Sequence, residues 1–462
     1  MIDKQQQLIG QLKTQKIVVL GAGLTGLSCV RFLQANNVFC GLNDNRLNIV
    51  DEASFNEEFP DCQLSQGQWQ LQWLSQAEVI LISPGIDIAA EQLTNYISDD
   101  CLIIGDVELF CRLSDTPIIA VTGSNGKSTV VSLLEHIANE LDMNVTLAGN
   151  IGLPILDQLK QTIDCIILEL SSFQLETLTS MKALSATVLN ISDDHLDRHQ
   201  TLEKYSAIKQ KIYQQCQHTV VNRDDQLSWS SVPVTTQHMI SFGSDQPTTG
   251  NFGLVANGID SYLMFGNQVL CSASALPLAG HHNTLNYLAA LALGMTANWP
   301  LIGMVRGLHS FKGLAHRCQR IESQDNIVWI NDSKATNVGA CIAAIEGISF
   351  SMMPNNKLIL IAGGDGKGAD FNLLATSVVK HVDYLITLGL DGNKIRQVSQ
   401  LPIQYCFAVH SIEQAVKKAG YLANQGDVVL LSPACASIDM FANFAERGQR
   451  FIMAVDALQE SH

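Results

Sequence analysis

Seven residues constrain this chain more than any others. Thr122-Gly123-Ser124-Asn125-Gly126-Lys127-Ser128 follows directly on the β-branched run Ile118-Ile119-Ala120-Val121 and opens a helical stretch. Glycines at a strand end let the backbone N–H groups face one point, and the following helix adds the positive end of its dipole. A polyphosphate fits such a cradle. Gly123, Ser124, Asn125 and Gly126 would wrap it, Lys127 would pair with its outer phosphates, and a hydroxyl from Ser128 or Thr129 would ligate Mg²⁺. Val121 stands where the pattern G-x-x-x-x-G-K-[ST] wants its first glycine, so the loop is a shorter variant. ATP or a similar nucleotide is the expected ligand.

The strand–loop–helix unit recurs. Ile17-Val18-Val19-Leu20, Val38 to Leu42 and Val79-Ile80-Leu81-Ile82 alternate with helical stretches, the pattern of a parallel α/β sheet. A second series opens after Ser114-Asp115-Thr116-Pro117 and continues through Cys165-Ile166-Ile167-Leu168 and Ala186-Thr187-Val188-Leu189. From Val232 to Ala275 the texture changes to short runs with Gly, Asn and Asp turns, which reads as antiparallel hairpins added to the second domain. A third series follows Phe311-Lys312-Gly313-Leu314, with strands at Ile327-Val328-Trp329-Ile330, Leu358 to Ile361, Tyr384 to Thr387 and Val428 to Leu431. At roughly 150 residues per domain, 462 residues make about three. The expected fold class is therefore α/β, with parallel sheets in about three domains.

Composition removes several function classes. A formal charge of −16 disfavours nucleic acid and acidic membranes, so an anionic ligand must meet local positive charge or helix N-termini. The longest apolar stretch, Leu285 to Ala297, is short of the roughly 20 residues that cross a bilayer and reads as a buried helix. The start, Met1 to Gln7, lacks the basic-then-apolar order of a secretory signal. The twelve cysteines are scattered singly, without a CxxC pair or zinc spacing, and read as reduced core thiols. A cytoplasmic protein without membrane insertion is expected.

Other strand ends carry chemistry of their own. Gly21-Ala22-Gly23-Leu24-Thr25-Gly26 follows a strand, and Asp44 lies about 20 residues on, where a dinucleotide-binding domain keeps its ribose-binding acid. The motif suits any nucleotide diphosphate and does not decide which. Ser83-Pro84-Gly85-Ile86 adds a second turn on the same side. Glu169 places a carboxylate at a strand's end near the phosphate loop, which suits a Mg²⁺ contact. The loop Asn190-Ile191-Ser192-Asp193-Asp194-His195-Leu196-Asp197-Arg198-His199 packs carboxylates and imidazoles for metal or substrate contact. By spacing alone Lys209 and Lys211 lie on the solvated face of a helix. Asn331 to Asn337 and Gly363-Gly364-Asp365-Gly366-Lys367 each bring a lysine to the ligand edge of the third sheet.

Taken together, these segments resemble the Mur ligase family. The resemblance covers nearly the whole chain and rests on Gly23 to Ser28, Thr122 to Thr129, Gly149-Asn150-Ile151-Gly152, Leu168-Glu169-Leu170-Ser171-Ser172-Phe173-Gln174, Asp194 to Arg198, Asn331 to Asn337 and Ser432-Pro433-Ala434-Cys435-Ala436-Ser437. It implies three domains: a Rossmann-like one over 1–104 for a uridine-diphosphate sugar rather than NAD, a central P-loop ATPase-like one with an added small β region over 105–312, and a Rossmann-like one over 313–462 that brings an amino acid. Within the family the match is to the branch that joins D-glutamate to UDP-N-acetylmuramoyl-L-alanine in peptidoglycan precursor synthesis. There a substrate carboxylate takes the γ-phosphoryl group of ATP as an acyl phosphate, which the amine displaces, leaving ADP and phosphate.

The resemblance also implies roles. Leu24, Thr25, Asp44, Arg46, Ser83, Gly85, Asn150, Ser171 and Gln174 would bind the UDP substrate, Asn150 near its reactive end. Gly123 to Thr129 would hold phosphates, with Asn283, Asn286, Arg317 and Asp332 around the rest of ATP. Lys127, Asn150, His195 and Lys209 form the catalytic set. Two Mg²⁺ would be held by Ser128, Glu169, His195 and Lys209, the last as a carbamate, against its solvated-face reading. Lys334, Thr336, Lys367, Ser437 and Phe444 match the D-glutamate pocket. A monomer is expected. Two departures stand out: Asn45 where Thr is more usual, and His199 where an aromatic is common. The nearest competitors are sibling ligases adding L-alanine, a diamino acid or a dipeptide, and a folylpolyglutamate synthase. The glycine-rich first domain argues against the folate enzyme, and Ser432 to Ser437 favours the D-glutamate branch.

Overall fold

The structure is a computed structural model that describes residues 2–232, 238–258, 260–278, 280–321, 323–324, 326–353 and 355–460. They fall into two compact units, one of Met1–Ile191, His195–Gly253 and Ala289–Gly307, the other of Ser192–Asp194, Leu254–Leu288 and Leu308–His462.

The first unit holds two parallel sheets. Strand order in the first is Cys62–Gln66, Cys40–Asp44, Ile17–Leu20, Val79–Ile82 and Leu102–Ile104, with the chain's first strand in the middle. Order therefore reverses beside Ile17–Leu20, and the crevice at such a reversal is where doubly wound sheets take ligands. The second strand begins at Cys40 rather than Val38, so Asp44 is its last residue and not one beyond it. The second sheet runs Met239–Phe242, His218–Asn222, Ser185–Val188, Ile118–Thr122, Cys165–Glu169 and Val145–Gly149, parallel throughout. The strand that feeds the phosphate loop is central and wholly buried.

Both sheets share one core. A single apolar cluster runs from Val19 and Leu33 through Leu109 and Phe110 to Ile166, Val188 and Tyr205. Helix Asp106–Leu113 lies in this seam with every residue except Arg112 buried. Its Glu108 is buried because its carboxylate is fully used: it accepts from Arg112 Nε, from the backbone N–H of Thr179 and Ser180, and from Thr179 Oγ1.

The hairpin reading of Val232 to Ala275 is corrected in part. Asp260–Phe265 and Gln268–Ser272 do pair antiparallel, and with Phe252–Asn257 form a three-stranded sheet. Met239–Phe242, however, joins the central sheet parallel to His218–Asn222. A four-residue run is too short to reveal a period, and the open edge of His218–Asn222 decided its pairing. Residues 233–237 lie outside the described set.

The second unit carries the third sheet, ordered Gln319–Ile321, Val328–Asn331, Val428–Leu431, Leu358–Gly363, Tyr384–Leu388 and Cys406–Ala408. Only the first strand is antiparallel. Its two faces bury separate clusters, one around Cys341, Ile345 and Leu374 and one around Trp329, Val416 and Phe451. The stretch Leu285 to Ala297 lies in the helix His281–Thr296 apart from its last residue, and Tyr287 to Leu293 are buried. Among the described residues no helix is long and apolar enough to cross a membrane, and all twelve cysteines are free thiols.

The first glycine loop permits a sharp test. A Cβ on Gly26 would lie 1.7 Å from the carbonyl oxygen of Gly21, whereas one on Gly23 would meet nothing within 4 Å. Gly26→Ala is expected to destabilise the first unit by about 3 kcal/mol or more, and Gly23→Ala by under about 1 kcal/mol. Chemical denaturation of the two variants checks this, and equal stabilities would refute it.

Candidate active site

The phosphate loop is shaped by its glycines and pinned from one side. Gly126, at φ +83°, caps helix Lys127–Glu140, and Gly123 takes φ +154°. The backbone N–H of Ser124 donates to the Asn190 carbonyl (2.9 Å), and that of Asn125 to Asn190 Oδ1 (2.8 Å). Asn190 therefore fixes the loop's outer turn, a role its position at a strand end did not announce. Lys127 Nζ is folded back onto the carbonyls of Gly123 (2.7 Å) and Ser124 (2.9 Å), so its charge already sits at the loop mouth.

Lys209 is the largest departure from spacing-based expectation. It lies on helix Leu202–Gln210, yet only 1% of it is exposed. Its Nζ donates to Thr122 Oγ1 (3.2 Å) and to the Gly123 carbonyl (3.0 Å), and it stands 4.7 Å from the centre of the Tyr205 ring. The solvated-face reading is thus overturned. The helix turns this face to the phosphate loop because Tyr205, Ser206 and Gln210, on the same side, are buried as well. Thr122 can accept from Lys209 because its own proton is given to the Leu170 carbonyl (2.6 Å).

Glu169 ends the neighbouring strand, also 1% exposed. One oxygen, Oε1, accepts from Asn150 Nδ2 at 2.7 Å; the other, Oε2, is buried without a hydrogen-bond partner among the described residues. A buried carboxylate oxygen left unpaired is costly, and a cation is the partner that relieves it best. Asn150 is itself fixed, its N–H bonded to the Glu169 carbonyl after Gly149, where a Cβ would lie 2.2 Å from that same oxygen. Ser128 is buried at the start of the adjoining helix. Among the described residues no cluster of three His, Cys, Asp or Glu exists. This donor set suits Mg²⁺, which takes few carboxylates and completes its shell with water and phosphate oxygens.

His195 adopts a left-handed φ of +54° at the head of helix Leu196–His199 and meets the Phe173 ring edge-on, centroids 4.8 Å apart. Phe173 also lies under Arg198, 4.6 Å from its guanidinium, and stacks on His199 at 5.6 Å. His199 in turn faces Tyr205 and shares a 2.9 Å hydrogen bond with Ser172 Oγ. Its burial lowers its affinity for a proton, with Glu176 pulling the other way. Arg198 pairs with Glu176 and donates to the carbonyls of Pro84 and Ile86, tying the Ser83 turn to the central sheet.

Below that turn lies a cavity of about 350 Å³, lined by Ser83, Pro84, Asp106, Phe173, Gln174 and Arg198 among others. Ser171 and Gln174 form a reciprocal cap on the short helix beside it. Asp106 Oδ1 is buried there without a partner, and burial pushes the carboxyl up to about 6.

At the first glycine loop the acid is held within the protein. Asp44 Oδ2 accepts from the Ala22 N–H (2.8 Å) and Arg46 Nη2 (2.8 Å), and Oδ1 from Arg46 N and Nε (both 2.9 Å). Burial opposes the charge, but these bonds outweigh it and hold the carboxyl below its ordinary range. The acid so engaged aims Arg46, which stays largely exposed. Leu24 is exposed at the head of its helix, with Thr25 next to it, while Gly85 follows the Ser83 turn.

In the second unit, the expected residues gather at the strand ends of the third sheet. Asp332 accepts from Ser432 Oγ (2.9 Å) and the Cys318 N–H (3.2 Å), and burial pushes it up to about 7, with Arg317 nearby pulling the other way. Lys334 Nζ stands 3.9 Å above the Phe444 ring. Thr336 follows two residues on, its N–H bonded to the Lys334 carbonyl. Lys367 takes φ +49° after Asp365, which exchanges backbone hydrogen bonds with Ala436, next to buried Ser437. Asn283 and Asn286 are buried together on helix His281–Thr296, 3.3 Å apart through their amides.

Comparison with known proteins agrees with this layout. Three sequence profiles match in order: a Mur ligase MurD-like N-terminal domain over 15–105, a Mur ligase middle domain over 121–294, and a Mur ligase glutamate ligase domain over 316–435. The UDP-N-acetylmuramoylalanine–D-glutamate ligase of Colwellia psychrerythraea is 52% identical across 97% of this chain and 98% of its own. Enzymes of the same name from Idiomarina loihiensis (43% identical, 96% and 97% covered) and Pseudomonas aeruginosa (40%, 96% and 98%) are also similar. In fold, the chain resembles a pseudomurein peptide ligase type C from Methanothermus fervidus, with a TM-score of 0.62 at 18% identity over 96% of this chain and 100% of that one. UDP-N-acetylmuramate-alanine ligase from Thermotoga maritima gives a TM-score of 0.61 at 16% identity, covering 97% and 100%. The chain belongs to the Mur ligase family.

Proposed function

We propose that this protein is an ATP-dependent ligase that joins D-glutamate to UDP-N-acetylmuramoyl-L-alanine, in the cytoplasm, for peptidoglycan precursor synthesis. The observation that carries the chemistry is that Lys127 and Lys209 both donate to the Gly123 carbonyl while Glu169, paired with Val121 on the neighbouring strand, keeps one buried oxygen without a hydrogen-bond partner among the described residues. Binding a nucleotide would need the cations; a buried carboxylate oxygen left unpaired one strand away points to a metal-assisted transfer.

In this reading the three domains divide at 104/105 and 312/313. Arg46, aimed by Asp44, meets the uridine diphosphate, with Leu24, Thr25, Ser83, Gly85, Ser171 and Gln174 along the substrate. Asn150 orients the terminal carboxylate of the substrate while holding Glu169 in place. One carboxylate oxygen attacks the γ-phosphorus, ADP leaves, and the amine of D-glutamate then attacks the acyl carbon and expels phosphate. Lys127 leaves the loop carbonyls for the outer phosphates. Ser128 and Glu169 would hold one Mg²⁺, His195 and a carbamate on Lys209 a second; ions so held offset the charge gathering on the transferring phosphoryl group. The carbamate forms when unprotonated Nζ adds to CO₂ and releases a proton, which turns a buried donor into an acceptor. Asn283, Asn286, Arg317 and Asp332 take the remainder of ATP. Lys334, Thr336, Lys367, Ser437 and Phe444 receive the amino acid, two ammonium groups matching two carboxylates.

Three measurements test this reading. An amino-acid panel in a phosphate-release assay is expected to give turnover with D-glutamate and UDP-N-acetylmuramoyl-L-alanine together, and equal activity with L-lysine or a folate would sink the assignment. Lys127→Ala should lower turnover by roughly 100-fold or more while leaving UDP-substrate affinity within about twofold; parallel loss of both would relocate the site. Thorough removal of CO₂ should slow the enzyme and bicarbonate restore it, whereas a rate indifferent to CO₂ removes the carbamate.

A further inference from the structure

Every segment expected to receive the amino acid meets at one buried side chain that none of the motifs includes. Arg447 lies on helix Phe444–Glu460 and is 2% exposed. Its Nε donates to Ser333 Oγ (3.0 Å), and its Nη2 to the carbonyls of Ser333 (2.8 Å) and Cys435 (3.1 Å). Ser333 Oγ passes its own proton to the Phe444 carbonyl (2.8 Å). Gly364 leaves room for the fork: a Cβ there would lie 3.3 Å from Nη1. Ser333 immediately precedes Lys334, Cys435 lies two residues before Ser437, Gly364 three before Lys367, and Phe444 begins the helix itself.

The charge on Arg447 is as telling as its bonds. Among the described residues its hydrogen bonds go to a hydroxyl and to carbonyls, none to a carboxylate, and Nη1 is buried with no hydrogen-bond partner. Burial pulls the guanidinium down to about 10, and the opposing pull of Asp439 and Asp332 does not offset it. A whole positive charge is thus kept in a poorly screened interior and satisfied only by neutral oxygens, an arrangement that costs stability. A lysine could not make it, because one ammonium on a flexible stem cannot reach a hydroxyl and two carbonyls from a planar fork.

We propose that Arg447 is a positioning residue for D-glutamate. It holds the loops carrying Lys334, Lys367, Ser437 and Phe444 in one register, and its unpaired charge raises the positive potential under the dicarboxylate. It touches no substrate. The inference rests on the D-glutamate reading given above for this pocket.

The test measures steady-state phosphate release by the full-length protein and its variants Arg447→Lys, Arg447→Gln and Arg447→Met, varying each substrate in turn. The expected result is a KM for D-glutamate raised about tenfold or more in Arg447→Met and Arg447→Gln. KM for ATP and for UDP-N-acetylmuramoyl-L-alanine should stay within about twofold. Arg447→Lys, which keeps the charge and loses the fork, should fall between them and the parent. Equal changes for all three substrates, or none, overturn the proposal. So does failure of all three variants to fold, checked by circular dichroism, since that assigns Arg447 to the core alone. Should the unaltered protein not use D-glutamate at all, the pocket assignment fails instead, and the two failures are distinguished.

Discussion

A buried ammonium at the mouth of the phosphate loop sets the terms for the first unit. Lys209 cannot be sunk beside Thr122 and Gly123 without oxygens to receive it, and the loop carbonyls supply them. That need orders the surroundings: Thr122 gives its proton to Leu170, Tyr205 stands beside the cation, and His199 and Phe173 fill the space behind. The strand holding the loop is central, so the same residues that place the cation also place Glu169 one strand away. Function and folding thus draw on the same few hydrogen bonds.

Much of this was legible beforehand because glycine and proline punctuate the chain at strand ends, where parallel sheets collect ligands. Most of the parallel strands, the phosphate loop and the free thiols follow from local pattern. Lys209 did not, since spacing on one helix cannot say which face a sheet will cover. Asn190 and Arg447 escaped for a related reason: their partners lie 65 and 114 residues away in sequence, at Asn125 and Ser333. The run Met239–Phe242 misled through brevity, its pairing chosen by an open sheet edge.

The two lysines at the phosphate loop differ in how they are stored. Lys127 is half-buried on its own loop and can exchange two carbonyls for phosphate oxygens at little cost. Lys209 is enclosed and has nowhere to turn, so only a chemical change alters what it offers. Mobile and fixed charges divide the labour of gripping a phosphate and stabilising it in flight.

The clasp between Asp44 and Arg46 has an entropic side. Two hydrogen bonds from its guanidinium and one from its backbone N–H hold Arg46 against Asp44 before any ligand arrives, so its rotamer freedom is surrendered during folding rather than during association. In the proposed reading the uridine diphosphate end meets a guanidinium already in a rigid frame, and affinity there depends on how well the ligand's own shape agrees with a direction set by the protein.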